Sequence, residues 1–334
     1  MKIYLGGHNA SVPLHNASVS VVPGKEISLT NSLLAAGLEI CDHLDDSDAL
    51  VLIDMDINLL NCARNSPFGN LPIIFVRNEP MVVWPANYSA KAISLTSFLI
   101  DIGRDGGFTN LNFPWPQDWS QNFEFREVVT TRSESVVLIN GNKLSFIKGE
   151  MYSFRRKCIF NVPDLDVYGI GWDVGFLRKL LIFAAEIRLA IKNRMRPRLS
   201  SSRGWLKRPT NWKGAPKSKL ETISQYKYSL VIENSMDYMT EKLFDAFFAR
   251  CIPIYVGPSV DRFDIPANLV VQVDPTLNSI KRGIEIAKEM DYEKWRDSLN
   301  AWLVNDLVSK KWSATNVYDA IANEVSNSIK NSQK

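Results

Sequence analysis

The sequence predicts an α/β protein built of parallel strands and crossover helices, and three observations carry that reading. The runs ALVLID at 49–54 and LPIIFV at 71–76 are apolar without polar alternation, as strands covered on both faces require. Residues 226–258 read as strand, polar turn, helix and strand in close succession, the βαβ grammar of a nucleotide-binding half-fold. At 334 residues the chain is long enough for two domains, each with its own core.

Taken in order, residues 1–5 form a first strand and 28–37 suit a helix. The 49–54 strand ends in Asp54-Met55-Asp56, a pairing of carboxylates that could hold a metal. The commoner fate is that Asp56 caps the helix begun by Ile57. The 71–76 strand delivers Arg77-Asn78-Glu79-Pro80 to a strand C-terminus, where open α/β sheets keep their ligands. A partly desolvated Glu79 there suits a general base; the alternative is a carboxylate paired with Arg77. Residues 98–102 make the next strand and 112–116 a loop. Trp84, Tyr88, Trp115 and Trp119 could stack on sugar rings or simply fill core and surface.

Residues 118–141 lose periodicity and read as the linker between an N-terminal domain, 1–140, and a C-terminal domain, 141–334. Residues 143–148 (KLSFIK) start the second sheet, 152–161 form a helix bearing Arg155, Arg156 and Lys157, and 166–171 a strand and glycine turn. In the 226–258 segment, strands at 228–232 and 252–256 flank a helix that Thr240 can cap, with Leu243, Phe244, Phe247 and Phe248 on one stripe. Lys242 sits in that helix's first turn, misplaced against the helix dipole by a few tenths to about 1 kcal/mol. A bound phosphate would reverse the sign; pairing with Asp237 or Glu241 is the plain alternative. A strand at 269–273 and helices at 279–290, 293–304 and 313–326 complete the chain, and the last helix can pack back on the N-terminal domain.

Composition is that of an ordinary soluble globular protein, 46% hydrophobic and 22% charged. The four cysteines have no metal spacing, and the three histidines, His8, His15 and His43, leave no histidine-based triad or metal site for the second half. The opening MKIYLGGHNA reads directly as strand without an apolar leader, and no apolar run has spanning length. Charge is uneven: residues 178–219 hold thirteen basic side chains against Glu186 alone, +12, so the net +3 leaves −9 for the rest. That basic stretch, within an insertion at 176–219, is read as an anionic membrane surface or a solvated insertion, with nucleic acid well behind for want of a binding motif. Trp205 and Trp212 are expected at that surface.

The segment Tyr226-Lys227-Tyr228, Glu233-Asn234-Ser235, Asp237-Tyr238-Met239-Thr240-Glu241-Lys242 and Ile252-Pro253-Ile254-Tyr255-Val256-Gly257-Pro258 resembles the donor-binding segment of family 10 glycosyltransferases, the α-1,3/1,4-fucosyltransferases. Residues 143–171 also resemble the opening of that family's donor domain, and Glu79-Pro80 its N-terminal Glu-Ser-Pro motif without the Ser. Met239, where a β-branched residue is usual, and the basic insertion depart from the pattern. The resemblance implies a GT-B-like α/β fold, two Rossmann-type domains facing across a cleft; animal members are anchored in the Golgi, whereas the form of this chain suggests a bacterial-type cytoplasmic enzyme, and its basic stretch a peripheral place on the inner face of the membrane. It implies an inverting transfer of fucose from GDP-fucose to a glycan or lipid-linked glycan hydroxyl, with Glu79 as base. Arg155, Arg156, Asn234, Tyr238, Glu241 and Lys242 would bind the donor, Arg155 best matching the family's phosphate arginine and Arg156 being the neighbouring alternative. No tightly bound cofactor is implied, a divalent metal being at most stimulatory. Another nucleotide sugar, or a silent nucleotide-binding module at a membrane, are the competing readings.

Overall fold

The computed structural model describes residues 1–8, 28–65, 69–104, 111–124 and 131–332. The chain divides into two compact units, Met1–Trp119 with Asp306–Lys334, and Ser120–Asn305. The first carries β1 (Lys2–Gly7), α1 (Leu29–Ala35), β2 (Glu39–Ile40), β3 (Ala49–Ile53), α2 (Ile57–Asn65), β4 (Ile73–Arg77), α3 (Ala90–Ile93), β5 (Phe98–Ile102) and β6 (Leu111–Phe113). These strands form one parallel sheet, ordered β2-β1-β3-β4-β5-β6. The second unit carries α4 (Gln121–Glu124), β7 (Ser133–Ile139), α5 (Tyr152–Asn161), β8 (Leu165–Tyr168), α6 (Phe176–Lys192), α7 (Lys219–Ser224), β9 (Tyr226–Ile232), α8 (Lys242–Phe248), β10 (Ile252–Val256), β11 (Val271–Gln272), α9 (Leu277–Glu289) and α10 (Tyr292–Leu303). Its parallel sheet is ordered β11-β10-β9-β7-β8. The chain then returns to the first unit through α11 (Asp306–Trp312) and α12 (Ala314–Ser332).

Both apolar runs became central strands for the reason the sequence suggests. Val51, Ile53, Ile74 and Val76 face a layer completed by α1 and α12, while Leu50, Leu52, Ile73 and Phe75 face a layer completed by α2 and α3. A strand packed on both faces has no place for polar residues, so its sequence cannot alternate. The α12 residues Val317, Ile321 and Val325 lie in the first of these layers, so the first unit's core is closed by the end of the chain.

The structure differs from the sequence reading at several elements. The boundary lies at 119/120 rather than 140/141, because the supposed linker contains β7, which pairs with both β8 and β9 at the centre of the second sheet. Its apolar half is only VVLI, preceded by Ser-Glu-Ser, too short to announce a strand. Residues 143–148 form no strand: Leu144 and Phe146 instead pack with Ala190 and Trp205 under α6. The loop foreseen at 112–116 begins as β6, and α7 and α11 were not foreseen. Thr240 does not cap α8. The N-cap is Glu241, in helical geometry with no side-chain bond, because the Thr240 hydroxyl donates to Glu233 at 2.8 Å.

Each sheet has one point where the chain reverses its direction of growth, and ligand crevices of open α/β sheets form there. In the first unit it lies between β1 and β3, which approach so closely at Gly7 that a Cβ there would sit 1.9 Å from the Ile53 carbonyl oxygen. In the second it lies between β7 and β9.

Candidate functional site

In the second unit, Arg155 of α5 spans the point of reversal. Its guanidinium donates to Asn140 Oδ1 (3.1 Å) beyond the end of β7, and to the Ile232 carbonyl (2.5 Å) and Asn234 Oδ1 (3.0 Å) at the end of β9. Those three bonds use three of its five N–H donors and leave two for a ligand. The side chain is only 4% exposed. Burial pulls its pKa down, against the charges of Tyr152, Glu233, Glu241 and Glu150, and a guanidinium stays protonated regardless. Gly169, at a φ of 142°, lets the turn after β8 pass the Asn140 carbonyl; a Cβ there would lie 2.2 Å from that oxygen.

The residue just after β9, Glu233, is the hub of the site. Glu233 is fully buried, yet it accepts from the Thr240 amide (3.0 Å) and hydroxyl (2.8 Å) and pairs with Lys242 Nζ at 3.5 Å. Lys242 also donates to Thr240 Oγ1 at 2.6 Å and lies 3.6 Å from Glu241, so its ammonium is held in a fixed cradle with 22% of the side chain exposed. Arg155 and Lys242, from different helices, therefore converge on the three consecutive residues Ile232, Glu233 and Asn234. Glycine at 257 makes room for this, since a Cβ would stand 2.9 Å from the Glu233 side chain and 2.3 Å from the Tyr255 hydroxyl. The buried hydroxyls of Tyr255 and Ser235 have no hydrogen-bond partner among the described residues. Burial, followed by the charge of Glu233, raises the Tyr255 pKa well above its ordinary value, so it stays a neutral donor.

A third cation enters from the basic insertion. Lys219, at the start of α7, lies 3.3 Å from Glu241 Oε1 and also pairs with Asp245 of α8. Against the desolvation imposed by burial, those two carboxylates raise its pKa above the ordinary lysine value. Burial in turn opposes ionisation of Glu241, but Lys242 and Lys219 outweigh it and hold that carboxyl well below the usual range.

The sequence-predicted donor set is thus only partly assembled. Arg155, Asn234, Glu241 and Lys242 come together. Tyr238 lies one turn away at 1% exposure, its backbone bridged to Ser235. Arg156 does not join them: its side chain points the other way, donating to the carbonyls of Lys143, Ser201 and Arg203, and burial lowers its pKa to about 10. Consecutive residues on a helix leave it about 100° apart, and here the two guanidinium groups take different partners. Glu233, Lys219 and Asn140 were missed. Glu233 adjoins Asn234 in the polar turn and was legible there; Asn140 and Lys219 carried no sequence signal.

In the first unit, Asp54 organises the end of the sheet. It adopts a positive φ of 52°, and its Oδ1 accepts from the amides of Asn78 (2.9 Å) and Glu79 (2.8 Å) and from Asn87 Nδ2 (2.6 Å). Burial raises its pKa, against those bonds. Arg77 pairs through two nitrogens with Asp101 and lies over the Tyr88 ring. Glu79 is half-buried, with its carbonyl accepting from Asn87 (2.9 Å) and Tyr88 (3.3 Å). His8 follows β1, donating its amide to the Asp54 carbonyl (3.3 Å) and stacking on Trp84. Asp56 accepts from the amides of Asn58 and Leu59 and caps α2. No cluster of three potential metal ligands occurs among the described residues.

Residues 207–311 match the family model "Glycosyltransferase family 10 (fucosyltransferase) C-term". The 4-galactosyl-N-acetylglucosaminide 3-alpha-L-fucosyltransferase 9 proteins of Mus musculus and Homo sapiens are 37% identical over 92 residues, 24% of this chain and 25% of theirs. The match thus spans a quarter of the length of these curated relatives. Over the whole fold, a solved alpha1,3-fucosyltransferase with GDP aligns at TM-score 0.52 and 14% identity, covering 98% of this chain and 91% of that one. The DNA-modifying β-glucosyltransferase aligns at 0.53 and 14%, covering 99% and 100%. The fold is that of the GT-B glycosyltransferases.

Proposed function

We propose that the protein transfers fucose from GDP-fucose to a glycan hydroxyl, with inversion at the anomeric carbon, a reading supported by the match of residues 207–311 to the family 10 glycosyltransferase (fucosyltransferase) model. The observation that carries this reading is the convergence of Arg155 and Lys242 on residues 232–234, at the sheet's point of reversal. A diphosphate bound there would replace Glu233 and Glu241 as the main partner of Lys242, and take the remaining N–H donors of Arg155. Both cations would then offset charge growing on the leaving GDP, stabilising the transition state more than the bound donor. Glu241, acceptor-only and already paired with lysines, suits sugar hydroxyls rather than phosphate. Glu79 would remove the proton of the acceptor hydroxyl as that oxygen displaces GDP in line. Solved fucosyltransferases of the same fold hold GDP and GDP-fucose, which supports this donor.

The test is release of free nucleotide from a panel of nucleotide sugars in the presence of glycan acceptors. Turnover of GDP-fucose above the others is expected. Turnover of a different donor would keep the transferase and overturn the sugar, and silence across the panel would overturn the activity. Glu79→Gln is expected to bind GDP-fucose as before, by calorimetry, while transfer stalls; binding and turnover falling together would make Glu79 structural.

A further inference from the structure

The helix α6 leaves an apolar face uncovered. Its inner side packs Ile182, Phe183 and Ile187 against Leu144, Phe146 and Trp205. Its outer side exposes Leu177 by 77%, Leu181 by 72% and Ile191 by 61%, residues spaced i, i+4 and i+14 that fall on one stripe, with exposed Arg188 at i+11 on the same stripe. Phe176 and Leu180 widen that stripe, and both are exposed. Trp205, expected at a surface from the sequence, is 2% exposed and belongs to the inner side, so the exposed aliphatic residues are not merely the edge of a core.

The charge around this stripe decides what fits it. Arg188 and Lys192 on the helix, and Arg194, Arg196 and Arg198 just after it, are exposed and form no ion pair among the described residues. The 178–219 segment is +12 against −9 for the rest of the chain, so an anionic surface would both attract and orient the molecule. A second copy would bring +12 against +12. Nucleic acid needs the cations but gains nothing from a row of leucines. No described helix is long and apolar enough to cross a bilayer, and α6, 17 residues long, is suited to lie flat with its apolar stripe at the level of the acyl boundary.

We propose that the outer face of α6 docks the protein on the surface of an anionic lipid bilayer, Leu177, Leu181 and Ile191 entering the interface, Arg188 among them reaching up along its aliphatic stem, and Lys192 and the following arginines meeting the headgroups. This docking does not depend on the transferase reading.

The experiment is co-sedimentation of the full chain with neutral phosphatidylcholine vesicles and with vesicles containing about a third phosphatidylglycerol, across a salt series. Retention on the anionic vesicles alone is expected, weakening with salt. Arg188→Gln with Lys192→Gln should lower the partition coefficient about fivefold per cation removed. Leu177→Ser with Leu181→Ser should lower it about tenfold or more at unchanged charge. Both variants change exposed residues, and an unchanged melting temperature confirms that they fold. Equal binding to neutral vesicles, or anionic binding indifferent to the leucine substitutions, would overturn the proposal. So would a failure to bind any vesicle accompanied by dimers that the leucine variant loses.

Discussion

At the scale of the residue, the site turns on a buried carboxylate between two cations. Glu233 is fully excluded from solvent, fixes Thr240 through two bonds and pairs with Lys242, an arrangement suited to positioning the ammonium rather than to touching a substrate. Lys242→Ala or Arg155→Ala should lower kcat/KM for the donor by roughly a hundredfold, the effect of losing one preorganised donor to the leaving group, as steady-state kinetics would show. Glu233→Gln keeps the shape and removes the charge. Its loss of turnover should largely vanish when measured in a Lys242→Ala background, because both substitutions break the same interaction. Additive losses in that double-mutant cycle would show that Glu233 acts elsewhere.

At the scale of the element, neighbouring residues on one helix have been given opposite tasks. Arg155 of α5 serves the end of the sheet while Arg156, one step round, ties α5 to carbonyls of the 143 and 201–203 segments. The sequence could place both on a helix, but the direction each faces depends on how that helix rolls against the sheet. On α6, burial raises the pKa of Glu186 from its ordinary value to about 7. An acid whose folded pKa is raised contributes stability that is intact below its unfolded pKa and lost as pH rises through the folded value. Glu186→Gln should therefore melt with the native protein near pH 4 and above it by pH 8, the gap opening between about 4.5 and 7 in a series of thermal scans. A constant gap would exclude the ionisation as its cause.

At the scale of the whole molecule, the first unit is made from both ends of the chain. Ile321 of α12 is fully buried in the layer that also holds Ile3 and Val51. Ile321→Ala should cost about 2–5 kcal/mol of stability by denaturant titration, as a core truncation does, although the residue is over two hundred positions from its partners in sequence. A loss below 1 kcal/mol would mean that α12 is an appendage rather than part of the core.

The sequence by itself determined two units of parallel sheet, the strands at 49–54, 71–76, 228–232 and 252–256, and the turn that carries Asn234, Glu241 and Lys242. Runs of apolar residues and a polar turn between them are local properties, and they survive in any single chain. Only the tertiary structure decided that β7 lies at the centre of the second sheet, that Asn140 and Lys219 join the site, and that Arg156 leaves it. Strand neighbours are chosen by pairing across long sequence separations, and a side chain's task is fixed by the direction in which its helix packs; neither quantity is written in the spacing of residues along the chain.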